Sequence, residues 1–325
     1  IEYHLGWRNP DLSPAQSHPG KLLRPTLVLL ASELAAGRQG AAASAREDLV
    51  RRVVPAAVCV ELVHSFSLIH DDIEDGDEER RYRPTLWKLW GIPQAINTGD
   101  GLFSLARQGL WRLVDAGIAP LVVVRLAALL DRTCLELCEG QFLDMRYEGR
   151  RDITVEMYLE MIGRKTAALM ACSTEMGAHL GAPDDAPLAA NLARFGRALG
   201  LAFQLRDDLL GIWATKELGK SYAGDLRRKK MTLPVIHAFE TASGPDRATL
   251  DAIYIENGPA SEEQMGAALA VLERTRARAR VASALAEQGA LARTALDEAT
   301  GDAPEARQAH ELLAALLDFV VTAAD

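Results

Sequence analysis

Residues 68–75 read Leu-Ile-His-Asp-Asp-Ile-Glu-Asp and end a long apolar run that begins near Pro55. A second acidic stretch, residues 203–211, reads Phe-Gln-Leu-Arg-Asp-Asp-Leu-Leu-Gly and also ends an apolar run. On a helix, like charges one turn apart repel by about 0.2–0.5 kcal/mol per pair. Two such helix ends facing each other would repel more strongly unless a cation lay between them. Because Mg²⁺ prefers oxygen ligands, the two stretches predict a magnesium site that holds a phosphate or diphosphate.

Helical periodicity extends outward from both stretches. The pattern predicts a loop over residues 37–47 and helices over residues 21–36, 50–75, 93–115, 119–147, 154–181, 187–215 and 231–242. Two or three Ala-rich helices follow Pro259. No strand alternation, fixed-period repeat or low-complexity linker is visible. We therefore expect an all-α protein with one domain over residues 1–325.

The composition narrows the classes of function. The chain has 325 residues, a net charge of −9, 49% hydrophobic residues and only 6% aromatic residues, which favours helices and argues against a nucleic-acid or anionic-membrane partner. No apolar run reaches the ~20 residues needed to span a bilayer, and no signal peptide is visible. The four cysteines lie in apolar helical surroundings, which favours core thiols over a metal site or a disulfide between Cys134 and Cys138. We expect a reducing compartment and a cytoplasmic location.

The spacing of the first acidic stretch suits shared ligands. Asp71 and Asp75 lie ~6 Å apart along a helix on the same face, whereas Asp72 points about 100° away and would support them. Seven of the nine residues from Asp71 to Glu79 are acidic, so a solvated acidic helix end is the alternative interpretation. The apolar run before Asp71 favours a cavity rim instead. In the second stretch, Asp207 and Asp208 are adjacent, and Gly211 stands where a third acid would complete the pattern.

Basic residues occur in several short segments. Lys21 and Arg24 share a helix face, Lys165 interrupts an apolar helix next to Thr166, and Lys220 and Lys230 flank the stretch before Pro234. Taken singly, each of them is more typical of an ordinary surface charge. Together with an acid-bound metal, Lys and Arg donors form a binding surface for a polyanion.

The charged motifs belong to a set of segments that follow each other along the chain, namely GKLLRP (20–25), ELVHSFSLIHDDIEDGDEERR (61–81), NTGDGLF (97–103), GQFLD (140–144), GRKTAAL (163–169), FQLRDDLLG (203–211) and GKSYAGDLRRKKMTLP (219–234). In this order, the segments resemble the trans-isoprenyl diphosphate synthases of the polyprenyl synthetase family. The resemblance implies the isoprenoid synthase fold, a single-domain bundle of long antiparallel helices around a deep central cavity with Asp71 and Asp207 facing each other at its mouth. It also implies a homodimer.

The resemblance assigns roles to individual residues. The residues implied to bind a cluster of three Mg²⁺ ions on the allylic diphosphate are Asp71, Asp75 and Asp207, supported by Asp72 and Asp208. The cations implied on the same diphosphate are Arg80, Lys165, Lys220 and Lys230. The separate, metal-free site for isopentenyl diphosphate is implied to consist of Lys21, Arg24, His64 and Arg81. Polar residues implied to face the allylic cation are Thr166 and Gln204.

The implied reaction is a head-to-tail condensation of isopentenyl diphosphate with dimethylallyl, geranyl or farnesyl diphosphate. Ionisation of an allylic diphosphate creates a carbocation, and charge on the leaving group is stabilised by Mg²⁺ and basic side chains while apolar walls exclude water. The proton is then lost to the departing diphosphate, so His64 is expected to donate to a phosphate. Phe66, ~7.5 Å before Asp71 along the helix and next to the small Ser67, is expected to form the floor for a C20 chain. Core packing of Phe66 is the alternative. We expect geranylgeranyl diphosphate as the main product, followed by farnesyl diphosphate.

Several positions depart from the family pattern. These are Leu22 in place of a basic residue, Tyr82 where glycine is common, Gly211 in place of the last acid of the second motif, and Arg228 and Lys229 in place of an acid and a glycine. Two alternatives remain on the same fold. A class I terpene cyclase, or a prenyltransferase with another acceptor, would not need the four residues assigned to isopentenyl diphosphate. A non-catalytic subunit of a heteromeric synthase should have lost one of the acid motifs, and both are present here.

Overall fold

The computed structural model describes residues 1–15, 20–213, 223–256 and 258–322. Apart from one short hairpin, regular structure in these ranges is helical. The chain divides into two compact units. Unit 1 comprises Ile1–Leu135, Leu169–Gly196 and Leu296–Leu313. Unit 2 comprises Glu136–Ala168, Arg197–Ala295 and Ala314–Asp325.

The elements follow each other closely along the chain. The first are α1 (Leu23–Arg38), α2 (Ala43–Arg52), α3 (Val54–Glu74), β1 (Glu79–Arg80), β2 (Arg83–Pro84), α4 (Leu86–Trp90), α5 (Ile92–Asp115) and α6 (Pro120–Tyr147). Next come α7 (Val155–Ile162), a π-helical segment (Gly163–Ala167), α8 (Ala168–Gly181), α9 (Ala186–Trp213) and α10 (Gly224–Arg227). The last are α11 (Leu233–Thr241), α12 (Gly244–Ile255), α13 (Glu262–Arg274), α14 (Ala277–Thr300), a 3₁₀ turn (Pro304–Ala306) and α15 (Arg307–Thr322).

Helix α3 positions the first acidic stretch in unit 1. Pro55 lies in its first turn, where a missing N–H costs no hydrogen bond, and an apolar face that includes Val60 and Val63 is buried. The helix ends at Glu74, and the backbone N–H of Asp75 closes the last turn on the Asp71 carbonyl at 2.8 Å. Further buried side chains pack at the acidic end, namely Tyr3, Ile69, Leu86, Ala95 and Leu102. The acidic residues therefore lie at the end of a helix that is fixed by core packing.

Unit 2 has its own core at the end of the second acidic stretch. Ile212 of α9 packs with Val235 and Phe239 of α11 and with Leu250 and Val271 of the two following helices. Helix α13 begins with a capping box, in which Ser261 and Gln264 satisfy each other's backbone N–H groups. This core fixes the end of α9 on one side of α11.

The structure corrects four local predictions. The predicted loop 37–47 is wrong from Ala43 onward, where α2 begins. The chain was expected to lack strands, but β1 and β2 form an antiparallel pair. The helix predicted over 154–181 is interrupted by the π-helical segment, and α12 was not predicted. The hairpin is short and charged, so hydrophobic periodicity carries little signal for it. Helix α12 does contain apolar residues, including the buried Leu250 and Ile253.

Within the described ranges, no single helix is long and apolar enough to cross a bilayer, and only the bent pair of α2 and α3 together reaches that length and apolar content. Of the four cysteines, Cys59, Cys134 and Cys172 are buried in unit 1, whereas Cys138 is exposed, so the prediction of a core thiol is wrong for Cys138. Burial raises the pKa of Cys172 to about 12, so this thiol stays protonated and packs as an apolar group.

Candidate functional site

The acidic end of α3 contains three aspartates in different environments. Asp72 is only 2% exposed, and its Oδ1 accepts a hydrogen bond from Arg80 Nε at 2.5 Å. Burial raises the pKa of Asp72 to about 6, although the Arg80 guanidinium opposes that shift. Asp71 is half-buried and Asp75 is exposed. Asp72 therefore anchors Arg80, whereas Asp71 and Asp75 are more accessible to a ligand.

The hairpin after α3 places Arg81. Arg81 and Tyr82 form its turn with φ values of 53° and 61°, in the left-handed region that hairpin turns require. Tyr82, which departs from the family glycine, is 89% exposed, so its side chain gains little from burial. The Arg81 guanidinium lies against Gly20, where a Cβ would be 2.8 Å from Nη2. This contact places Arg81 beside the first residue of the segment that contains Lys21 and Arg24.

Positive charge is concentrated around Arg24 and His64 in unit 1. Burial lowers the pKa of Arg24 to about 10, opposed by Glu61, and Arg24 Nε is buried with no hydrogen-bond partner in the described chain. Burial also holds the pKa of His64 well below its usual value, and the charges of Arg24, Arg81 and Arg80 lower it further. We call Arg24, His64, Arg80 and Arg81 the cation cluster. An anion would satisfy it better than water alone.

Two residues of this region were missed by the sequence interpretation. Burial lowers the pKa of His4 to about 3, and the charges of Arg80, Arg81 and Arg83 lower it further. Glu61 has a raised pKa, caused by burial and opposed by Arg24 and Arg81. Glu61 lies inside the segment that carries the resemblance, but no motif marks His4, which lies sixty residues before His64 in sequence.

In unit 2, Asp208 is a buried acceptor of several hydrogen bonds. It is 1% exposed, and its carboxylate accepts from Tyr158 Oη at 2.7 and 2.9 Å, from Gln204 Nε2 at 3.3 Å and from the Leu233 N–H at 3.2 Å. Burial raises the pKa of Asp208 to about 7, although these hydrogen bonds lower it. Tyr158 was not predicted. Asp208 thus ties α9 to α7 and to the start of α11, while its neighbour Asp207 is half-buried.

The π-helical segment presents Lys165 and Thr166. A Cβ on Gly140 of α6 would lie 2.7 Å from Lys165 Cα, so only glycine permits this close approach. Lys165 Nζ contacts Asp144 Oδ2 at 2.5 Å, and Thr166 Oγ1 donates to Gln204 Oε1 at 3.2 Å. π-Helical segments are frequent at functional sites. The segments GQFLD, GRKTAAL and FQLRDDLLG are therefore joined by direct contacts.

A cavity of about 280 Å³ opens beside the second acidic stretch, within unit 2. Its lining residues are Gln204, Asp207, Asp208, Gly211, Gly224, Asp225, Arg228, Lys230 and Thr232. We call this space the acid cavity. Lys230 and Asp207 therefore line the same space. Lys220 lies outside the described residues.

Phe66, the predicted floor residue, lies on α3 in unit 1. Its ring packs edge-on against Phe103 of α5 with centroids 5.2 Å apart, and against His70 at 5.8 Å. It is half-buried and also contacts the core at the acidic end of α3. Because the rings of Phe66 and Phe103 are in contact, any surface that Phe66 forms for a substrate chain includes Phe103 as well. Both rings are therefore candidates for the residues that limit product chain length.

The donors present suit Mg²⁺. Within the described residues, no group of three His, Cys, Asp or Glu side chains is close enough to hold a metal by itself. Mg²⁺ commonly keeps several waters and uses one or two carboxylates together with substrate phosphates. In unit 2, the carboxylate of Asp207 supplies a hard oxygen ligand of that kind, and Lys230 of the same cavity supplies a phosphate donor. In unit 1, Asp71 and Asp75 at the end of α3 supply carboxylates of the same kind. The residues fit a metal that binds together with a polyanion.

Comparisons with known proteins agree with this chemistry. Residues 12–272 match the family described as Polyprenyl synthetase. Geranylgeranyl diphosphate synthase from Mycobacterium tuberculosis (strain ATCC 25618 / H37Rv) is 45% identical over 242 residues, 74% of this chain and 65% of that protein, so the match spans just under two thirds of that relative. Short chain isoprenyl diphosphate synthase from Methanothermobacter thermautotrophicus is 41% identical over 303 residues, 93% of this chain and 86% of that protein. A (2E,6E)-farnesyl diphosphate synthase from the same M. tuberculosis strain is 42% identical over 277 residues, 84% and 72% respectively.

Solved structures show the same fold. A polyprenyl synthetase from Streptomyces coelicolor A3(2) has a TM-score of 0.84 and 39% identity, covering 98% of this chain and 90% of that chain. A geranylgeranyl pyrophosphate synthetase from Pyrococcus horikoshii Ot3 has a TM-score of 0.80 and 33% identity, with coverages of 93% and 86%. The predicted all-α isoprenoid synthase fold is therefore confirmed.

Proposed function

The chain belongs to the polyprenyl synthetase family, a family of trans-prenyltransferases, and from this premise we propose that it condenses isopentenyl diphosphate head-to-tail with an allylic diphosphate in a Mg²⁺-dependent reaction. The observation that carries the proposal is the acid cavity, where Asp207 and Lys230 line one space. Carboxylates for a divalent cation beside a lysine for phosphate form a combination that suits a metal-bound diphosphate.

The proposed reaction assigns separate tasks to the two charged regions. Asp71, Asp75 and Asp207 would hold Mg²⁺, which when bound neutralises charge on the leaving diphosphate. Lys165 and Lys230, with Arg80 held by Asp72, would bind the same diphosphate, and Lys220 is assigned by resemblance only. When the allylic C–O bond breaks, its electron pair leaves with the diphosphate. Thr166 donates a hydrogen bond to Gln204, and the side-chain oxygens of both residues would point toward the resulting cation and stabilise it.

Three members of the cation cluster, namely Arg24, His64 and Arg81, suit the second diphosphate without a metal, whereas Arg80 is assigned to the allylic diphosphate. Lys21, Arg24, His64 and Arg81 would bind isopentenyl diphosphate, whose double bond then attacks the allylic cation. This attack leaves a tertiary carbocation on the isopentenyl unit. A carbon next to that cation loses a proton to the released pyrophosphate, and the C–H electron pair forms the new double bond. The orphan Arg24 Nε and the low pKa of His64 support this assignment, because a neutral imidazole N–H and a guanidinium both donate to phosphate oxygens.

Incubation with labelled isopentenyl diphosphate, each allylic diphosphate and Mg²⁺ tests the reaction. We expect a longer linear prenyl diphosphate and released pyrophosphate. A cyclic hydrocarbon would instead favour the cyclase alternative, and activity that appears only after a second protein is added would favour the subunit alternative.

We propose geranylgeranyl diphosphate as the main product. Related synthases are named for geranylgeranyl and for farnesyl products, so the aromatic pair on α3 and α5 is the place to test chain length. Phe66→Ala should lengthen the products, as should Phe103→Ala if both rings form the floor. Phe239→Ala, an aromatic ring in the core of unit 2, is the control. An unchanged distribution in both test variants would place the floor elsewhere.

A homodimer is also proposed. Large apolar side chains of α5 and α6 are exposed in unit 1, including Trp111 at 50% and Leu121 at 72%. A second copy would cover such a surface. Sedimentation velocity should give twice the monomer mass, and Leu121→Glu should weaken the association. A single-domain organisation over residues 1–325 and a cytoplasmic location stay predictions.

A further inference from the structure

The N-terminal segment of unit 1 is held against the hairpin that follows α3. Tyr3 is 5% exposed, and its Oη donates a hydrogen bond to the Pro84 carbonyl at 2.7 Å. Arg83 of β2 donates from Nη1 to the Tyr3 carbonyl at 3.1 Å and from Nη2 to the Arg8 carbonyl at 2.5 Å. The Arg83 guanidinium also lies 4.2 Å from the centre of the Tyr3 ring. These contacts fix the backbone of residues 3–8 on the hairpin.

His4 follows the anchored Tyr3 and is therefore held close to the cation cluster. The hairpin that binds Tyr3 also carries Arg80 and Arg81. The charges of both arginines act on His4, and His4 in turn lowers the pKa of His64. His4 thus lies in the same electrostatic surroundings as the cluster, although it comes from a separate part of the sequence.

The imidazole of His4 is available to a ligand. In the part of the chain that the structure describes, His4 makes no hydrogen bond and no ion pair. Other half-buried histidines do, since His237 contacts the Thr275 carbonyl at 3.2 Å and His310 contacts Thr300 Oγ1 at 2.8 Å. A neutral imidazole among guanidinium groups has one N–H to donate, and a phosphate oxygen is an acceptor that the same guanidinium groups attract.

We propose that His4 is a further binding residue for isopentenyl diphosphate and donates an imidazole N–H to one of its phosphate oxygens. The inference rests on the proposed function. His4 is assigned to this diphosphate because His64 and Arg81 are assigned to it, whereas Arg80 is bound by Asp72 and belongs to the allylic diphosphate. His4 supplies a donor without adding another positive charge to the cluster. The N-terminal segment thereby forms part of the wall of this substrate site.

Titration calorimetry of the full chain with isopentenyl diphosphate in EDTA measures binding at this site without a metal. His4→Ala should weaken binding about tenfold, the lower range for one hydrogen bond to a charged group. His4→Asn places an amide N–H near the position of Nδ1, and His4→Gln places one near Nε2. One of the two should recover most of the affinity and so identify the donating nitrogen. Trp7→Ala, an exposed aromatic residue of the same segment, is the matched control and should bind as the wild type does.

Steady-state kinetics with Mg²⁺ distinguishes binding from packing. In His4→Ala, KM for isopentenyl diphosphate should rise about as much as its dissociation constant, while KM for the allylic diphosphate and the urea midpoint change little. A rise in both KM values, or a loss that neither amide variant recovers, would show that the ring packs and does not donate. If Arg24→Gln weakens binding while His4→Ala leaves it unchanged, the inference is wrong and the proposed function stands. If the wild type itself binds no isopentenyl diphosphate and makes no longer product, the proposed function is wrong as well.

Discussion

The cation cluster of unit 1 and the acid cavity of unit 2 present opposite electrostatic problems. In the cation cluster, arginines outnumber acids, and the nearby histidines His4 and His64 are kept neutral by burial and by those arginines. In the acid cavity, three aspartates share one enclosure, and the most buried one, Asp208, is stabilised by neutral donors. The first region gains from an anion and the second from a cation.

In both regions, two adjacent aspartates differ in burial and in their hydrogen-bond partners. The Asp208 carboxylate accepts hydrogen bonds from Tyr158, Gln204 and the Leu233 N–H. The Asp72 carboxylate accepts one from Arg80. Both are almost fully buried. In each acidic stretch, the neighbouring Asp71 or Asp207 is half-buried instead. One acid of each pair holds the fold together, and the other is available to a ligand.

The largest expected effect on the reaction rate comes from Asp207 of the acid cavity. Asp207→Ala should lower kcat by about a thousandfold or more, because charge stabilisation at the leaving group is usually the largest catalytic contribution. Its urea midpoint should change little. Steady-state rates and circular dichroism measure both quantities. A variant that keeps most of the wild-type rate would remove Asp207 from the metal site.

In contrast to Asp207→Ala, Asp208→Ala should mainly lower the free energy of unfolding. Removing the carboxylate leaves Tyr158 Oη and the Leu233 N–H buried without an acceptor, so the free energy of unfolding should fall by about 2–4 kcal/mol. Asp208→Asn is the matched control and should lose less, because its amide oxygen still accepts. Equal unfolding free energies for Asp207→Ala and Asp208→Ala would contradict the division of roles.

The sequence was sufficient for most of the long helices and for the two acidic stretches, because apolar periodicity and acid spacing are local signals, but it missed α2 from Ala43 to Leu49 and the whole of α12. The 100° offset on a helix also anticipated that Asp72 would differ from Asp71. Other features depend on distant residues. The π-helical segment lies where Gly140 of α6 lets its backbone approach, and Tyr158 and His4 reach their partners only through the tertiary fold. No local pattern encodes those contacts.

On the other side of the comparison, Arg24→Gln should act on one substrate. We expect KM for isopentenyl diphosphate to rise by about tenfold, because one charge-assisted hydrogen bond is worth roughly 1.5–3 kcal/mol. KM for the allylic substrate should change far less. Arg51→Gln on α2, an exposed arginine outside the cluster, is the control. Equal increases in both KM values would mean that the cation cluster does not distinguish the two diphosphates.

The cation cluster should also make unit 1 sensitive to acid. The pKa of His4 is lowered to about 3 and that of His64 also lies well below 6.5, so below pH 6.5 the unfolded chain binds protons that the folded chain refuses. Stability is therefore fully present above pH 6.5 and is lost as the pH falls toward the folded pKa values. Between pH 7.5 and 5.5 the loss should be roughly 1 kcal/mol for each histidine.

Urea unfolding of the wild type and of His4→Gln across that range measures this dependence. His4→Gln should flatten the pH profile by one histidine's share. The raised pKa of Glu61 makes it an opposing contribution to stability in the most acidic samples. An identical slope for wild type and His4→Gln would show that His4 is not held neutral by the cluster.

The smallest expected effect concerns the turn that presents Arg81. Tyr82 has a φ of 61°, a left-handed backbone conformation that is strained for a residue with a Cβ. Its side chain is 89% exposed, so packing contributes almost nothing to offset that strain. Relief of about 1–2 kcal/mol of strain in Tyr82→Gly is offset by the 0.5–1 kcal/mol or so that glycine's extra freedom costs, for a net gain of about 0.5–1 kcal/mol. Tyr82→Ala removes the same ring but keeps a Cβ, so it should gain nothing. If glycine and alanine give the same unfolding free energy, the turn is unstrained and this departure from the family pattern has no cost.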